Sequence, residues 1–331
     1  MSAKKKWATA ALSLILAAVA AFCAFFAYPA LTRSDAAEPR TYRGVLRLWH
    51  IDGFEGGRGS RASFLGSAAS VFESENEGLI VMITVHTAES AAYALSEGSI
   101  PDMISYGGGC DFVADCARPL EKYDFAAASA GHDTLGVPWC RGGYFLFSGE
   151  GDFSDVSDEN TVISEGRENL PEAAAALNGL QGEFDVLSVT QAYTALIGGK
   201  YKYMLGTQRD VWRLRTRGFA FTARPLSAFC DLWQYISVCA RDTERYNACL
   251  DFVALLLSDD IQGRLGEIGM ISPYASVYSD DETMHAAETA PAGAAVYAFA
   301  DAAARGAVRE AAALALKGDE NGAKKLKNYL L

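Results

Sequence analysis

The feature that most constrains this chain is an uncharged N-terminal run that follows three lysines. After Lys4–Lys6, no charged residue occurs from Trp7 to Thr32. A helix rises about 1.5 Å per residue, so the roughly 25 residues from Trp7 to Leu31 can cross a hydrocarbon core of about 30 Å. The lysines should stay in the cytoplasm, which places the rest of the chain on the outer side of the membrane.

Three interpretations of this segment remain open: an uncleaved anchor, a cleaved signal peptide and a lipoprotein signal. The run is longer than a secretory h-region of about 7–15 residues, which favours an anchor. Cys23 is preceded by Phe22, where a lipoprotein signal has a small residue, and cleavage near Ser34-Asp35-Ala36 is the remaining alternative. We predict a signal or anchor helix at 1–33, a linker at 34–41 and an extracytoplasmic globular part, tethered or secreted after cleavage.

Length and charge limit what the globular part can be. About 290 of the 331 residues remain after the leader, which suits two lobes of ordinary domain size. The formal net charge is −12, and lysines and arginines are scattered. Without a basic stripe, nucleic acid is not an expected partner.

The cysteines and histidines do not form a recognisable metal or redox motif. Six cysteines follow the leader: Cys110, Cys116, Cys140, Cys230, Cys239 and Cys249. None forms a C-x-x-C pair, so we expect buried free thiols, with Cys110 and Cys116 as the one sequence-near pair to test for a disulfide. The histidines do not pair at helical spacing, and neither a metal nor a cofactor is expected.

Strand and helix signals alternate at the start of the globular part. The predicted elements are a strand at 45–51, a helix at 60–73, a strand at 79–85, a helix at 90–97 and a strand at 102–106. Further strands are predicted at 201–205 and 219–225, a helix at 245–257, and packed helices after residue 286. This alternation predicts an α/β fold with a parallel sheet between helices.

Motifs of common enzymes are missing from the sequence. It contains no G-x-S-x-G elbow, no phosphate-binding G-x-x-x-x-G-K-[ST] loop and no H-E-x-x-H zinc motif. We therefore predict that the chain is not an enzyme, and an extracellular hydrolase is the weakest of three functional hypotheses.

Three loops at the predicted carboxyl ends of strands combine aromatic and polar residues. They are 49–55, 106–109 and 206–209. Ligands of open α/β sheets bind at such loops, because backbone N–H groups of strand ends and helix N-termini are free there. Aromatic faces stack on sugar rings, and Asp, Glu, Gln and Arg bond hydroxyl groups. As a set, these loops predict a small-molecule binding site.

Four segments together resemble the extracellular solute-binding proteins of ABC importers, the family that includes maltose-binding and other carbohydrate-binding proteins. They are Val45 to Gly57, Ile100-Pro101-Asp102-Met103-Ile104, Ala192 to Arg209, and Phe252–Leu257 with Ile261-Gln262 and Gly269–Pro273. The chain departs from the family in being short between Pro138 and Gly182 and in its poor lipobox.

The resemblance implies a two-lobed periplasmic-binding-protein type II (Venus-flytrap) fold behind an N-terminal transmembrane or signal helix. Lobe 1 would comprise 42–137 and 223–274, and lobe 2 would comprise 138–222 and 275–331. Chain crossings would lie near 137–139, 219–225 and 272–276. A ligand that bonds both lobes would favour the closed state.

The resemblance also implies which residues bind the ligand. The predicted ligand-binding residues are Trp49, Asp52, Phe54, Glu55, Tyr106, Trp139, Arg141, Thr207, Gln208 and Arg209. The implied function is delivery of a small solute, first of all a saccharide, to ABC permease subunits in the same membrane. The alternative is a membrane-tethered sensor or adaptor on the same fold. Arg58, Arg141 and Arg209 would suit an anionic group on the solute.

Overall fold

The computed structural model describes residues 42–120, 135–291 and 293–330. The predicted leader helix and linker, residues 1–41, lie outside the described residues. Within the described ranges, no helix combines the length and the apolar character needed to span a bilayer.

Strands and helices alternate along the described chain. The strands are β1 (Gly44–Ile51), β2 (Leu79–His86), β3 (Met103–Tyr106), β4 (Val137–Arg141), β5 (Tyr144–Ser148), β6 (Thr161–Glu165), β7 (Asp185–Ser188), β8 (Tyr203–Thr207), β9 (Thr222–Leu226) and β10 (Trp233–Val238). The α-helices are α1 (Arg61–Glu75), α2 (Ala88–Ser96), α3 (Pro171–Leu177), α4 (Val189–Ile197), α5 (Gln208–Arg217), α6 (Thr243–Leu256), α7 (Asp259–Gln262), α8 (Glu282–Thr289), α9 (Ala302–Leu316) and α10 (Glu320–Asn328). Asp111–Asp115 and Gly263–Ile268 are 3₁₀ helices.

The strands form two five-stranded sheets, one in each lobe. The first has the order β2-β1-β3-β10-β4, in which β1 runs parallel to β2 and β3 while β10 is antiparallel to β3 and β4. The second has the order β7-β6-β8-β5-β9, with β6 parallel to β7 and β8 and with β5 antiparallel to β8 and β9. Parallel strands joined through helices are what the alternation of the sequence predicts.

Apolar side chains bury the helices against these sheets. Phe72 of α1 meets Phe252 of α6 edge-on, with ring centroids 5.4 Å apart, and both rings are buried. Fully burying one such side chain is worth about 1.5–3 kcal/mol. In the second lobe, α9 packs against α3 and α10. Each lobe therefore has its own packed helices as well as its own sheet.

The chain passes between the sheets at very short connections. Only Gly142 and Gly143 separate β4 of the first sheet from β5 of the second. A Cβ atom at Gly142 would lie 2.4 Å from Gln208 Oε1, so a larger residue at this crossing would displace the Gln208 side chain. The second crossing joins β9 to β10 through 227–232, and Ile271 of the third pairs with Arg141.

Two of the predicted lobe boundaries need correction. The predicted boundary after residue 137 splits β4 and assigns all but its first residue to lobe 2, although the strand pairs with β10 of the first sheet. Residue 222 begins β9, which the prediction assigns to lobe 1 but which pairs with β5 of the second sheet. We propose lobe boundaries after Arg141 and after Leu226. The first crossing follows β4, and the second follows β9. The predicted crossings at 137–139 and 219–225 include parts of these two strands.

Most of the predicted elements are confirmed with small shifts. The first strand and helix are β1 and α1, and the strand predicted at 201–205 is β8. The segment 149–165 is acidic and rich in turn-forming residues, which favours a loop, yet it ends in β6. β7 and β10 also had no predicted counterpart.

Candidate functional site

A cavity of about 380 Å³ lies where loops of the two lobes meet. Lobe 1 contributes residues 51–53 after β1, 85–89 after β2, and Gly108 and Cys110 after β3. Lobe 2 contributes Arg167 and Glu168, which follow β6. All four segments lie at or just beyond the carboxyl end of a strand, where open α/β sheets bind ligands. This cavity is the candidate site.

His86 and Trp49 form an aromatic part of the site. The His86 ring lies 4.5 Å from the buried Trp49 ring, centroid to centroid, at a tilt of 39°. Nδ1 of His86 is 3.3 Å from Ser90 Oγ, while Nε2 is buried without a partner among the described residues. Burial lowers the pKa of His86, so the ring is neutral at pH 7. The half-buried ring offers a ligand an apolar face.

Asp52 supplies an ionised carboxylate at the cavity. Burial alone would raise its pKa, but the hydrogen bond from His50 and the charge of Arg61 outweigh burial and lower the pKa to about 2. Asp52 Oδ1 lies 3.0 Å from His50 Nε2 and 2.9 Å from Arg61 Nε. The Asp52 side chain is 55% exposed, so it can still accept hydrogen bonds from a ligand.

The loops that carry these residues are held closely together. Gln234 of β10 donates from Nε2 to the Ile51 carbonyl (2.8 Å), and its Oε1 accepts from the Gly53 N–H (3.3 Å). A Cβ atom on Gly53 would lie 2.2 Å from the Gly107 Cα atom. Only glycine permits this approach, which brings the loops after β1 and β3 to one edge of the cavity.

The amino terminus of α2 opens onto the same cavity. Thr87 and Ser90 form a capping box, in which the Ser90 N–H donates to Thr87 Oγ1 and the Thr87 N–H donates to Ser90 Oγ. Hydrogen bonds from the Glu89 N–H and from Thr87 lower the pKa of the exposed Glu89 carboxyl. Glu89 is therefore a second carboxylate of the site that is ionised at neutral pH.

Glu168 has an unusual backbone conformation at the lobe 2 edge. Its φ angle is 50°, the only positive φ of a non-glycine residue in the part of the chain that the structure describes. Such a conformation costs of order 1–3 kcal/mol and is often found at ligand sites. Arg305 holds it by donating from Nη2 to the Glu168 carbonyl (2.6 Å). The Glu168 side chain is 53% exposed and lines the cavity.

Beside the cavity, the two lobes bond to each other directly, in a region that we call the seam (Glu55, Gly143, Arg167 and Gln208). The Arg167 N–H donates to Glu55 Oε1 (2.7 Å), and Gln208 Nε2 donates to the Glu55 carbonyl (3.2 Å). Gln208 Oε1 accepts from the Gly143 N–H (3.0 Å). The polar groups of Gln208 are thus used within the protein.

Of the predicted ligand residues, the structure places Asp52 at the cavity and Trp49 directly behind His86. Glu55 and Gln208 lie in the seam, and the buried Phe54 stacks under the Arg61 guanidinium at 4.2 Å. Residues of two distant segments, Glu55 and Gln208, are therefore in contact. The predicted ligand residues named here are divided between the cavity and the contact of the lobes.

The remaining predicted residues do not line the cavity. Tyr106 and Trp139 are completely buried, with Tyr106 stacked on Tyr235 and Trp139 donating to Ser105 Oγ. Arg141 is buried and donates to the Ala287 and Glu288 carbonyls in the last turn of α8. Thr207 caps α5 together with Asp210, and the half-buried Arg209 lies on α5 away from the cavity. Packing, backbone hydrogen bonds and helix capping use these aromatic and polar side chains near strand ends.

Sequence reasoning missed His86, Glu89, Arg167 and Glu168. The rule that selected the loops after the first and third strands also applies to the loop after the second strand, where His86 and Glu89 lie. Arg167 and Glu168 follow β6, which was not predicted as a strand. Thr161-Val162-Ile163 is a β-branched run that could have revealed it.

No protein-family model matches the sequence, and a comparison with curated proteins finds no match. Several solved structures match most of the chain. The sugar-binding protein MalE from Xanthomonas citri is 14% identical with a TM-score of 0.60, over 86% of this chain and 95% of that chain.

Two further matches differ in what they bind. The galacto-N-biose-/lacto-N-biose I-binding protein of the ABC transporter from Bifidobacterium longum is 11% identical with a TM-score of 0.58, over 87% of this chain and 95% of that chain. Iron-bound HitA from Pseudomonas aeruginosa is 13% identical with a TM-score of 0.55, over 86% of this chain and 99% of that chain. The predicted two-lobed periplasmic-binding-protein fold is confirmed, and fold likeness at these identities does not decide the ligand.

Proposed function

We propose that this chain binds a small polar solute in the cavity between its lobes and makes or breaks no covalent bond. The observation that carries the proposal is the convergence of four strand-end loops, drawn from both lobes, on one cavity of about 380 Å³. This volume is at the lower end of the roughly 300–1,000 Å³ typical of small-molecule sites. It suits a solute of one or two sugar rings.

The charges around the cavity favour a neutral or amine-bearing solute with several hydroxyl groups. Three carboxylates, Asp52, Glu89 and Glu168, line it against one arginine, Arg167, and carboxylates accept hydrogen bonds from hydroxyl or ammonium groups. Of the three arginines predicted to suit an anionic group, none lines the cavity. Arg141 is buried, Arg209 lies on α5, and the Arg58 guanidinium lies 5.3 Å from the Trp212 ring. A saccharide, with its hydroxyl groups and a ring face for His86, fits better than an acidic solute.

Binding would favour a closed arrangement of the lobes because both contribute lining groups. A ligand that bonds Asp52 of lobe 1 and Glu168 of lobe 2 adds contacts that exist only when the lobes meet. The seam already supplies two such hydrogen bonds through Glu55. The short crossings at 142–143 and 227–232 are where a hinge motion would occur.

The fold, shared with binding proteins of ABC transporters, supports a wider proposal. Under this wider proposal, the globular part lies on the extracytoplasmic side and is tethered by the N-terminal segment. It delivers the bound solute to permease subunits. Deleting the gene in the native cells should then abolish uptake of the solute. Normal uptake together with a lost response to the solute would favour the sensor instead.

A thermal-shift screen of the full-length chain tests the binding proposal. The panel should contain neutral disaccharides, amino sugars, sugar acids and ferric citrate at 1–10 mM. A ligand at 100 times its dissociation constant adds about 2.7 kcal/mol of stability, so the melting temperature should rise by several degrees with neutral or amino sugars. A shift with sugar acids or iron alone would contradict the ligand class. No shift with any solute would contradict the binding proposal.

A further inference from the structure

Two buried cysteines that are far apart in the sequence lie in direct contact. Cys116 Sγ and Cys239 Sγ are 3.2 Å apart, although 123 positions separate the two residues. Cys116 ends the 3₁₀ helix Asp111–Asp115, and Cys239 directly follows β10. Both side chains are buried, Cys116 with 5% of its surface exposed and Cys239 with none. The pair expected from sequence proximity, Cys110 with Cys116, is not the pair that the fold brings together.

We propose that Cys116 and Cys239 form a disulfide bond when the folded chain meets an oxidising environment. A disulfide has a sulfur–sulfur distance of about 2.0 Å, so the two sulfur atoms need to approach by only about 1 Å. The other four cysteines of the globular part, Cys110, Cys140, Cys230 and Cys249, make no sulfur–sulfur hydrogen bond among the described residues, although Cys249 is near enough for its charge to raise the pKa of Cys239. The geometry therefore selects one bond.

The backbone around the two cysteines is already in place for this bond. The Arg118 N–H donates to the Val238 carbonyl (2.8 Å), and the Cys239 N–H donates to the Asp102 carbonyl (2.8 Å). Arg118 Nη1 also donates to the Ala240 carbonyl (2.9 Å). The two Arg118 hydrogen bonds hold the segments that bear Cys116 and Cys239 side by side, and the bond to Asp102 fixes Cys239 against the first sheet, so the disulfide forms without a change of register.

The chemistry needs an external disulfide as the oxidant, for which oxidised glutathione serves in vitro. The Cys116 thiolate attacks one sulfur of that disulfide and releases one thiol. Cys239, after losing its proton, attacks Cys116 Sγ and releases the second thiol. In total, two protein thiols become one disulfide, and one small disulfide becomes two thiols that carry the two protons.

The two thiols differ in a way that suits these roles. The hydrogen bond between the two cysteines lowers the pKa of Cys116 and raises the pKa of Cys239, and the nearby Arg241 charge favours both thiolates. The lower pKa and the residual exposure make Cys116 the attacking thiol.

The bond would also stabilise one wall of the cavity. Gly108 and Cys110 line the cavity, and they precede the 3₁₀ helix that ends at Cys116. A link from Cys116 to β10 would hold this segment against the first sheet, since β10 pairs with β3. We expect oxidation to protect the segment from local opening.

The test equilibrates reduced full-length chain with oxidised and reduced glutathione, alkylates the free thiols under denaturing conditions and maps the peptides by mass spectrometry. The expected result is a linked peptide pair that contains Cys116 and Cys239. Adding dithiothreitol should lower the melting temperature of the oxidised protein by roughly 5 °C or more, because the bond closes a long loop in the unfolded chain.

Variants separate the bond from the packing of its side chains. Cys116→Ser and Cys239→Ser should each lose the linked peptide and the effect of dithiothreitol on the melting temperature. Cys140→Ala removes a buried thiol of β4 without a sulfur neighbour and should keep both. Alkylation of Cys116 and Cys239 in the oxidised wild-type chain, or a link between Cys110 and Cys116, would overturn the proposal.

Discussion

The cavity and the seam lie side by side between the same two lobes, but they use their polar groups differently. In the seam, Gln208 bonds Gly143 and Glu55, so its donor and acceptor are both satisfied. Glu55 Oε2 of the seam has no partner among the described residues, but it is buried, as is His86 Nε2 at the cavity. In the cavity, the Asp52 and Glu168 side chains are more than half exposed and keep acceptor capacity beyond their contacts with His50, Arg61 and Arg305. Acceptor capacity that solvent can reach is what a ligand can use.

This difference separates two kinds of residue that look alike in the sequence. Residues of the core and the seam should affect stability or closure, whereas residues of the cavity should affect ligand affinity with little effect on folding. The variants below test that separation, and affinity is measured with whichever solute gives the largest thermal shift.

The largest effect is expected for Trp139→Ala, which removes a fully buried ring that stacks on Phe64 at 5.9 Å. The free energy of unfolding, measured by urea denaturation, should fall by about 3–5 kcal/mol. The half-buried Trp212 is the control, and Trp212→Ala should cost clearly less. The affinity of the folded Trp139→Ala fraction should stay near the wild-type value. A large loss of affinity without a loss of stability would show that Trp139 contacts the ligand.

Glu55→Ala breaks the seam, because it removes the carboxylate that accepts the Arg167 N–H at 2.7 Å. A hydrogen bond to a charged group is worth about 1.5–3 kcal/mol, so affinity should fall roughly 10–100-fold as closure becomes less favourable. Glu55→Gln keeps an acceptor and should lose less, and the exposed Glu75→Ala should lose nothing. A wild-type ligand affinity of Glu55→Ala in isothermal titration calorimetry would show that the seam does not contribute to closure.

Glu168→Gln tests the cavity without disturbing the seam. The amide keeps the size of the side chain but weakens its hydrogen bonds to a hydroxyl or ammonium group, by about 1 kcal/mol or roughly fivefold in affinity. The melting temperature without ligand should change little, since this side chain is half exposed and its ion pair with Arg305 is long, at 3.9 Å. Glu77→Gln on the surface serves as the comparison. An equal loss of affinity in both variants would point to net charge instead of a contact.

Asp52 should give the smallest effect, which depends on pH. Its folded pKa of about 2 lies below the ordinary value of 3.8, so its hydrogen bond from His50 and its ion pair with Arg61 together stabilise the fold above pH 4. That stability is lost as the pH falls from about 4 to about 2. Since the side chain is 55% exposed, solvent screening limits it to about 1 kcal/mol or less. Urea denaturation of Asp52→Asn should show a weaker dependence on pH in this range than wild type. Identical curves would contradict the ion pair.

The sequence predicted the architecture better than the site. The strand, helix and strand from β1 to β2 follow from apolar spacing and loop residues, which are local signals, and they appear where expected. Arg141 and Tyr106 could not be assigned in this way, because their burial depends on partners such as Ala287 and Tyr235 that are distant in the sequence. The contact of Cys116 with Cys239 is likewise a product of the fold.

Other residues of the cavity were not predicted because the strand-end rule was applied to only some of the loops. The loop after β2 was passed over because it contains no aromatic cluster, although its position alone predicts ligand contact. The acidic residues before β6 obscure its strand pattern in the sequence, so the sequence does not place Arg167 and Glu168 after a strand end. Glycine positions such as Gly142 became interpretable only when their neighbours were known.

Filling the cavity with a large side chain shows directly whether the solute binds there. Ala88 is the first residue of α2 and lines the cavity, while Ala302 is the first residue of α9, exposed and away from the cavity. Isothermal titration calorimetry with the solute from the screen should show wild-type affinity for Ala302→Trp and no measurable binding for Ala88→Trp, with melting temperatures that stay close to wild type. Wild-type affinity in Ala88→Trp would contradict the assignment of this cavity as the binding site.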